Sequence, residues 1–223
     1  MRLRYYPDWG VALRYWPEIA HGLVLTFRIS LLAFLLALVL GLPLGLCRLS
    51  KNKIAQRIAS VFIEILRGTP EMVQLLWLYY VLPMVLRIPL TDITTGVLML
   101  GISLTAYMAE VYRSGISSVT KGQIEAAKAL GMSQVHTLSR IVIPQAMRVM
   151  IPPMLNNYVL VLKRVSLLMA IGVPELMYSS QRISSVTYRP LEVLSFAALL
   201  YVAVTYPATL LVRRLETRVS TPM

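Results

Sequence analysis

Five charged side chains, Arg67, Glu71, Glu110, Lys163 and Arg164, fall inside or at the edges of stretches that are otherwise apolar. A charge at the centre of a membrane-spanning helix costs about 2.5–3.5 kcal/mol on insertion scales, so such residues line a polar interior or neutralise one another. The chemistry they offer is recognition and passage of a charged or zwitterionic solute. For any one of them, a buried ion pair that only tightens helix packing is the other reading; as a group they mark a pathway. Glu71 follows Arg67 by four positions and Gln74 follows Glu71 by three, so on one continuous helix the three share a face, which Leu78 extends. Ser166 adds a hydroxyl close to Arg164 in sequence. No bond-making chemistry accompanies these groups. His21 and His136 lie far apart, which argues against a metal pair or a catalytic dyad. The single cysteine, Cys47, leaves no cysteine metal cluster and no internal disulfide. No Gly-x-x-x-x-Gly-Lys-Ser/Thr loop is present to cradle nucleotide phosphates, so any ATP hydrolysis belongs to a partner. Met147, Met150 and Met154 recur at helical spacing and read as core filler rather than a soft-metal path.

The elements that must hold these residues are membrane helices. With 57% hydrophobic and 14% charged residues and a mean hydropathy of +0.67, the chain cannot cover an ordinary soluble surface with charge. Ile29 to Cys47 and Val193 to Val212 carry no charged side chain, and each approaches the roughly 20 residues a helix needs to cross a bilayer core. Ile93 to Ala109 is uncharged and shorter, while Ile65 to Leu86 and Val149 to Pro174 are long and apolar with charges among them. The expectation is an all-α membrane protein of about five spans, with residues 1–223 as one transmembrane domain and no repeat or linker. The first run starts well inside the chain and lacks a small-x-small cleavage site, so it reads as a retained span rather than a signal sequence. Before it, Trp9, Tyr15 and Trp16 alternate with basic residues, as in a helix lying at the outer interface; a disordered tail is the alternative.

A formal charge of +12 points to topology more than to nucleic acid. Arg48, Lys51, Lys53 and Arg57 follow the first span; Arg113, Lys121, Lys128, Arg140 and Arg148 occupy the third connection; Arg213, Arg214 and Arg218 follow the last span. The other side carries Arg2, Arg4, Arg14, Arg87, Arg182 and Arg189. The positive-inside bias therefore puts the N-terminus outside, and the C-terminus and the long third connection in the cytoplasm.

That connection, about 116–146, contains Gln123 to Leu130, a run of helix formers that Gly131 is placed to end. Glu125 reads as lying near the helix start, where a carboxylate complements the helix dipole. Ala126, Ala127 and Ala129 keep the helix narrow enough for close approach to a groove on another protein, with Glu125 and Lys128 at the rim. An ordinary loop helix without a partner is the alternative reading of Glu-Ala-Ala alone. The register of Glu125-Ala-Ala, Gly131, Ile141 and Pro144 resembles the cytoplasmic docking loop of bacterial ABC importer permeases, with Ile143 a soft mismatch for the usual leucine.

The resemblance continues through Glu64-Ile-Leu-Arg-Gly-Thr-Pro70 with Gln74 and Tyr79-Tyr80, Ala106-Tyr-Met-Ala-Glu110-Val-Tyr-Arg-Ser-Gly115, Lys121-Gly-Gln123 and Ile171-Gly-Val-Pro-Glu175-Leu. These segments look like the polar amino-acid (histidine, glutamate, glutamine) branch of that family. The resemblance implies a type I importer transmembrane domain in a bacterial inner membrane, paired with an identical or paralogous second permease. It also implies two cytoplasmic ATPases, which bind ATP and magnesium, and an extracytoplasmic solute-binding protein. In its terms Glu125, Ala126, Ala127, Gly131 and Pro144 couple to the ATPase, and Arg67, Glu71, Gln74, Glu110, Lys163, Arg164 and Ser166 line or brace the solute path. Two positions depart from the pattern. Lys163-Arg-Val-Ser166 stands where the family has Lys-Asp-Thr-Ser, and Glu71 replaces a usual aliphatic residue. The opposite departures predict that Glu71 and Arg164 compensate each other, and they favour a zwitterionic or carboxylate solute over a purely cationic one. The rival readings are an ion channel, although the charges are mixed in sign and form no arginine ladder, and a membrane-embedded enzyme, although no His/Asp or His/Glu cluster is present.

Overall fold

The computed structural model describes residues 6–219; Arg2 and Arg4, counted above on the outer side, lie outside the described residues. Every regular element among them is helical. In chain order these are α1 (Gly10–Arg14), α2 (Trp16–Leu49), α3 (Lys53–Gly68), α4 (Glu71–Leu76), α5 (Leu82–Leu86), α6 (Asp92–Ser117), α7 (Lys121–Ala129), α8 (Gln134–Thr137), α9 (Ile143–Arg164), α10 (Leu176–Thr187) and α11 (Pro190–Val219). Wider π turns at Trp77–Val81 and Leu138–Val142 join α4 to α5 and α8 to α9, and a 3₁₀ segment, Val165–Ile171, prolongs α9.

The first span is longer than its apolar run. α2 starts at Trp16, with Pro17 in its opening turn, and its 34 residues reach about 50 Å, well beyond a hydrocarbon core of about 30 Å. The helix is thus longer than a bilayer core requires, and the expected interfacial helix is reduced to the short α1. Small residues recur along one side of α2 at intervals of four, Ala33, Ala37, Gly41 and Gly45, and all are buried. In lipid, where no hydrophobic force drives helices together, close backbone approach supplies the attraction. The approach to α6 is close enough that a Cβ on Gly41 would lie 2.6 Å from Met108 Cβ, and one on Gly45 2.7 Å from the Ala109 carbonyl oxygen. The Tyr112 hydroxyl donates to the Leu38 carbonyl at 3.1 Å across the same seam. Ile29, Met99, Leu104, Met108, Met154 and Leu168 fill the core that α2, α6 and α9 share.

The second expected span is broken. α3 is capped by Asn52, whose side chain accepts from the Ile54 N–H at 2.9 Å, and it ends at Gly68. Thr69 and Pro70 are extended, with ψ of 130° and 133°, before α4 begins. The ring of Pro70 pushes Thr69 out of the helical region and removes a donor. Arg67, Glu71 and Gln74 therefore do not share one helical face, because the four-and-three spacing holds only along an uninterrupted helix. Among the described residues four helices are long and apolar enough to cross a membrane, Trp16–Leu49, Asp92–Ser117, Gln134–Ile171 and Pro190–Leu215, with Glu71–Leu86 a shorter apolar helix.

Gly172, at φ +81°, ends the Gln134–Ile171 helix in the left-handed conformation that glycine adopts without strain. α10, not anticipated from the serine-rich run, then packs on α2 and α11. Its cap is Glu175, fully buried, whose two oxygens accept from the Met177 and Tyr178 N–H groups at 2.9 and 2.7 Å. The Tyr201 hydroxyl adds a third donor at 3.2 Å. Burial raises the Glu175 pKa, against the pull of those three donors.

Candidate functional site

Two backbone irregularities meet in the middle of the bundle. Glu71 opens α4 just after the Thr69–Pro70 break, and Arg164 closes α9 where the backbone tightens into the 3₁₀ segment. An acid at the start of α4 complements the local dipole. Their contact is direct: Arg164 Nη1 lies 2.7 Å from Glu71 Oε1, with side-chain exposures of 19% and 22%. The Ser103 hydroxyl on α6 donates to the same carboxylate oxygen at 3.4 Å. Tyr107, one turn further along α6, holds the Arg164 guanidinium 5.1 Å from its ring centroid and the Arg67 guanidinium 5.4 Å from it. Both distances are within the range of cation–π attraction.

Glu110 forms a second node. Its Oε1 accepts from Arg113 Nε at 2.9 Å and pairs with the Arg113 Nη2 as well. Its Oε2 lies 3.3 Å from Arg48 Nη1, at the end of α2. Arg67, Tyr107, Glu110, Val111, Ser114 and Asn157 line a cavity of about 210 Å³. Arg67 and Glu110 are the charged residues of that lining, and Arg48 and Arg113 reach Glu110 from outside it.

Two of the expected path residues serve the backbone. The Gln74 amide nitrogen donates to the Leu66 and Thr69 carbonyls at 2.8 and 2.9 Å, closing the break between α3 and α4. The Ser166 hydroxyl turns back to the Lys163 carbonyl at 2.8 Å. Lys163 itself is exposed and has no ion-pair partner among the described residues. Arg67, Glu71, Glu110 and Arg164 thus gather round Tyr107, while Lys163, Gln74 and Ser166 do not. Tyr107, Ser103, Arg48 and Arg113 do not stand out in the sequence as site residues, whereas Asn157, after Pro152-Pro153, reads as a helix-packing or solute-facing amide. Arg48 and Arg113 read only as topology charges, and Tyr107 and Ser103 are ordinary residues of an apolar run until the fold aims them at a charge.

In the long connection, α7 runs Lys121–Ala129, two residues earlier at its start than the expected Gln123. Glu125 is therefore in the second turn, and the helix-start dipole argument for it does not apply. Glu125 and Ala126 are exposed, whereas Ala127 is 2% exposed and packs inward. Gly131 has φ +75°. Its N–H donates to the Lys128 carbonyl at 3.0 Å and the Met132 N–H to the Ala127 carbonyl at 3.0 Å, the paired bonds of a Schellman ending. Leu130 and Val135 beside it are 82% and 75% exposed, an apolar rim the sequence reading passed over. Pro144 sits exposed in the opening turn of α9, where its missing N–H costs nothing.

A helical bundle with charges gathered inside it and a glycine-ended helix on a long basic loop has counterparts among known proteins. The family model described as "Binding-protein-dependent transport system inner membrane component" matches residues 17–221. This chain belongs to that family. The permease is 37% identical over 212 residues to the glutamine transport system permease protein GlnP of Escherichia coli K12, covering 95% of this chain and 97% of that one. It is 35% identical over 171 residues to the L-cystine transport system permease protein TcyB of Bacillus subtilis, covering 77% and 73% respectively. Its fold superposes on a chain from the crystal structure of an amino acid ABC transporter with histidines at a TM-score of 0.87 and 34% identity, covering 96% of this chain and all of that one. A chain of the inward-facing MetNI methionine ABC transporter shares the fold alone, at a TM-score of 0.78 and 17% identity. The permease is a non-enzymatic transport subunit of an ABC importer, a family in which a separate ATPase handles ATP and a binding protein supplies solute.

Proposed function

We propose that this permease carries zwitterionic or carboxylate-bearing amino acids inward across a bacterial cytoplasmic membrane, as one of two permease subunits, identical or paralogous. It assembles with two ATPases and an extracytoplasmic binding protein, with its N-terminus outside. The observation that carries the reading is the Arg164–Glu71 pair, about one-fifth exposed, with Arg164 and the exposed Arg67 both over the ring of Tyr107. Neutral overall at Glu71 and Arg164, and positive around Arg67, the site offers a carboxylate-binding group and leaves no free acid to hold a lone cation. Arg67, Glu71, Glu110, Arg164 and Lys163 form the solute path, braced by Gln74 and Ser166.

Coupling follows from chain connectivity. The helix bearing Glu110 leads within a few residues into α7, whose exposed Glu125, Ala126 and Leu130 form the docking face, with Gly131 and Pro144 setting where the chain turns back into the membrane. ATP favours the outward-open state by stabilising the closed ATPase dimer, and hydrolysis lets the inward-open state return. The test is uptake by proteoliposomes containing the permease, its ATPase and its binding protein. ATP-dependent accumulation of unaltered labelled glutamine or a related zwitterion, exceeding that of arginine, is expected. ATP-independent flux through the permease alone would identify a channel instead.

A further inference from the structure

We propose that α3, the end of α2 and the middle of α6 form a binding site for one anionic phospholipid of the inner leaflet. Ile54, Ile58, Val61, Phe62 and Ile65 lie along one side of α3 and are between 45% and 72% exposed. They line an open surface groove of about 530 Å³ along α3 alone, with Lys53 and Arg57 at one end, so one side of it is left for an occupant. A second groove, of about 460 Å³ and almost wholly apolar, is lined by Leu40, Leu44, Cys47, Phe62 and Ile102, with Pro43 and Thr105. Phe62 belongs to both, so one aromatic ring separates two adjoining apolar channels.

That shape and its charge fit a two-chained lipid with a negative headgroup. The first groove runs from Lys53 to Ile65, about 18 Å of helix, against a single-leaflet depth of about 15 Å. Its apolar length therefore matches one acyl chain, and the second groove takes the other. The cations stand at the end where the headgroup belongs. Lys53 and Arg57 are exposed and have no ion-pair partner among the described residues, and the exposed Lys51 adds a third charge next to them. Arg48, by contrast, is held by Glu110 and contributes little. Unpaired basic side chains at the mouth of a lipid-facing groove attract phosphate on the cytoplasmic leaflet. A second copy of the chain is the other conceivable occupant, but it would have to bring an acid to Lys53 and Arg57 as well as an apolar face.

Cys47, the only cysteine, is exposed and lines the second groove, so it is a ready reporter. The permease, labelled there with a fluorophore and reconstituted in phosphatidylcholine, is titrated with a small, equal fraction of acyl-spin-labelled phosphatidylglycerol or phosphatidylcholine. Phosphatidylglycerol should quench with an about fivefold preference, the weight of one basic residue near an anionic lipid. The preference should fall as salt is raised, and in Lys53→Gln/Arg57→Gln, which keeps only Lys51, it should fall well below the wild-type value. Equal quenching by the two lipids, or an unchanged preference in the double variant, overturns the site. Protection of the label from both quenchers also overturns it, because the groove is then covered by a second copy. Lipid analysis of the unlabelled protein purified from native membranes gives a reading free of the label. Phosphatidylglycerol enriched over the bulk membrane in wild type and less so in the double variant supports the site, and equal lipid ratios in both overturn it.

Discussion

Arg164 and Glu71 face each other at 2.7 Å, each at a place where its helix changes character. Losing one partner of a fully buried pair costs about 3–5 kcal/mol. At roughly one-fifth exposure a cost of about 1–3 kcal/mol is expected here, since water reaches the orphaned charge. Glu71→Arg and Arg164→Glu should each lower ATP-driven uptake by about tenfold, a barrier change of about 1.4 kcal/mol. The double reversal should recover part of it and not all, because the base at position 71 then opposes the dipole at the α4 start by about 0.3–1 kcal/mol. Initial uptake rates in proteoliposomes decide this; a double variant no better than the worse single one removes the pairing.

Gln74 holds the broken helix together through two carbonyls. Gln74→Ala should lower stability by about 0.5–1.5 kcal/mol, the net worth of a hydrogen bond between part-buried groups, while leaving solute preference as it was. Thermal unfolding in detergent beside uptake competition separates the roles. A changed preference at unchanged stability would return Gln74 to the solute path.

Gly131 occupies a left-handed position that costs a side-chain-bearing residue about 1–2 kcal/mol. Gly131→Val should let the permease reach the membrane in normal amount yet separate ATP hydrolysis from uptake, and Glu125→Lys should do the same by placing the wrong charge on the docking face. The ratio of ATP hydrolysed to solute accumulated is the measurement. Normal ratios in both variants would leave the loop without its coupling role.

Gly41 and Gly45 set how closely α2 approaches α6. Gly41→Leu should cost about 1–3 kcal/mol through overpacking, seen as a lower melting temperature and a lower yield from membranes. Gly68→Ala is the control, since nothing lies within 4 Å of the added methyl group. Equal loss in both variants would show that the seam is not close-packed.

Glu175 carries a pKa raised by burial. The folded state thus binds its proton more tightly than the unfolded chain does. This residue's contribution to stability is present in full below the ordinary carboxylate pKa and is lost as pH rises through the raised value. The stability difference between wild type and Glu175→Gln should shift against wild type over that interval when melting temperatures are compared across pH. A difference independent of pH would mean that the carboxyl does not titrate there.

Much of the fold is written locally. The charge-free runs, the small-residue interval at Ala33, Ala37, Gly41 and Gly45, and the glycine that ends α7 are all readable from neighbouring residues. The physical reason is the solvent: in lipid a helix must satisfy its backbone bonds within itself, so where a span lies and which face packs closely are carried by its own residues, although α2 runs beyond its charge-free stretch. The site was only half legible. Intramembrane charges stand out in any apolar run, but spacing alone assigns Arg67, Glu71 and Gln74 to one face, although Pro70 between Arg67 and Glu71 already marks a break in the helix. Which charge meets which depends on how α4, α6 and α9 cross. The resemblance already suggests Glu71 and Arg164 as partners, but only the tertiary structure could set their contact, turn Gln74 back onto carbonyls and bring Tyr107 within reach of two guanidinium groups, because through-space pairing at these distances is decided by packing and leaves no periodic trace along the chain.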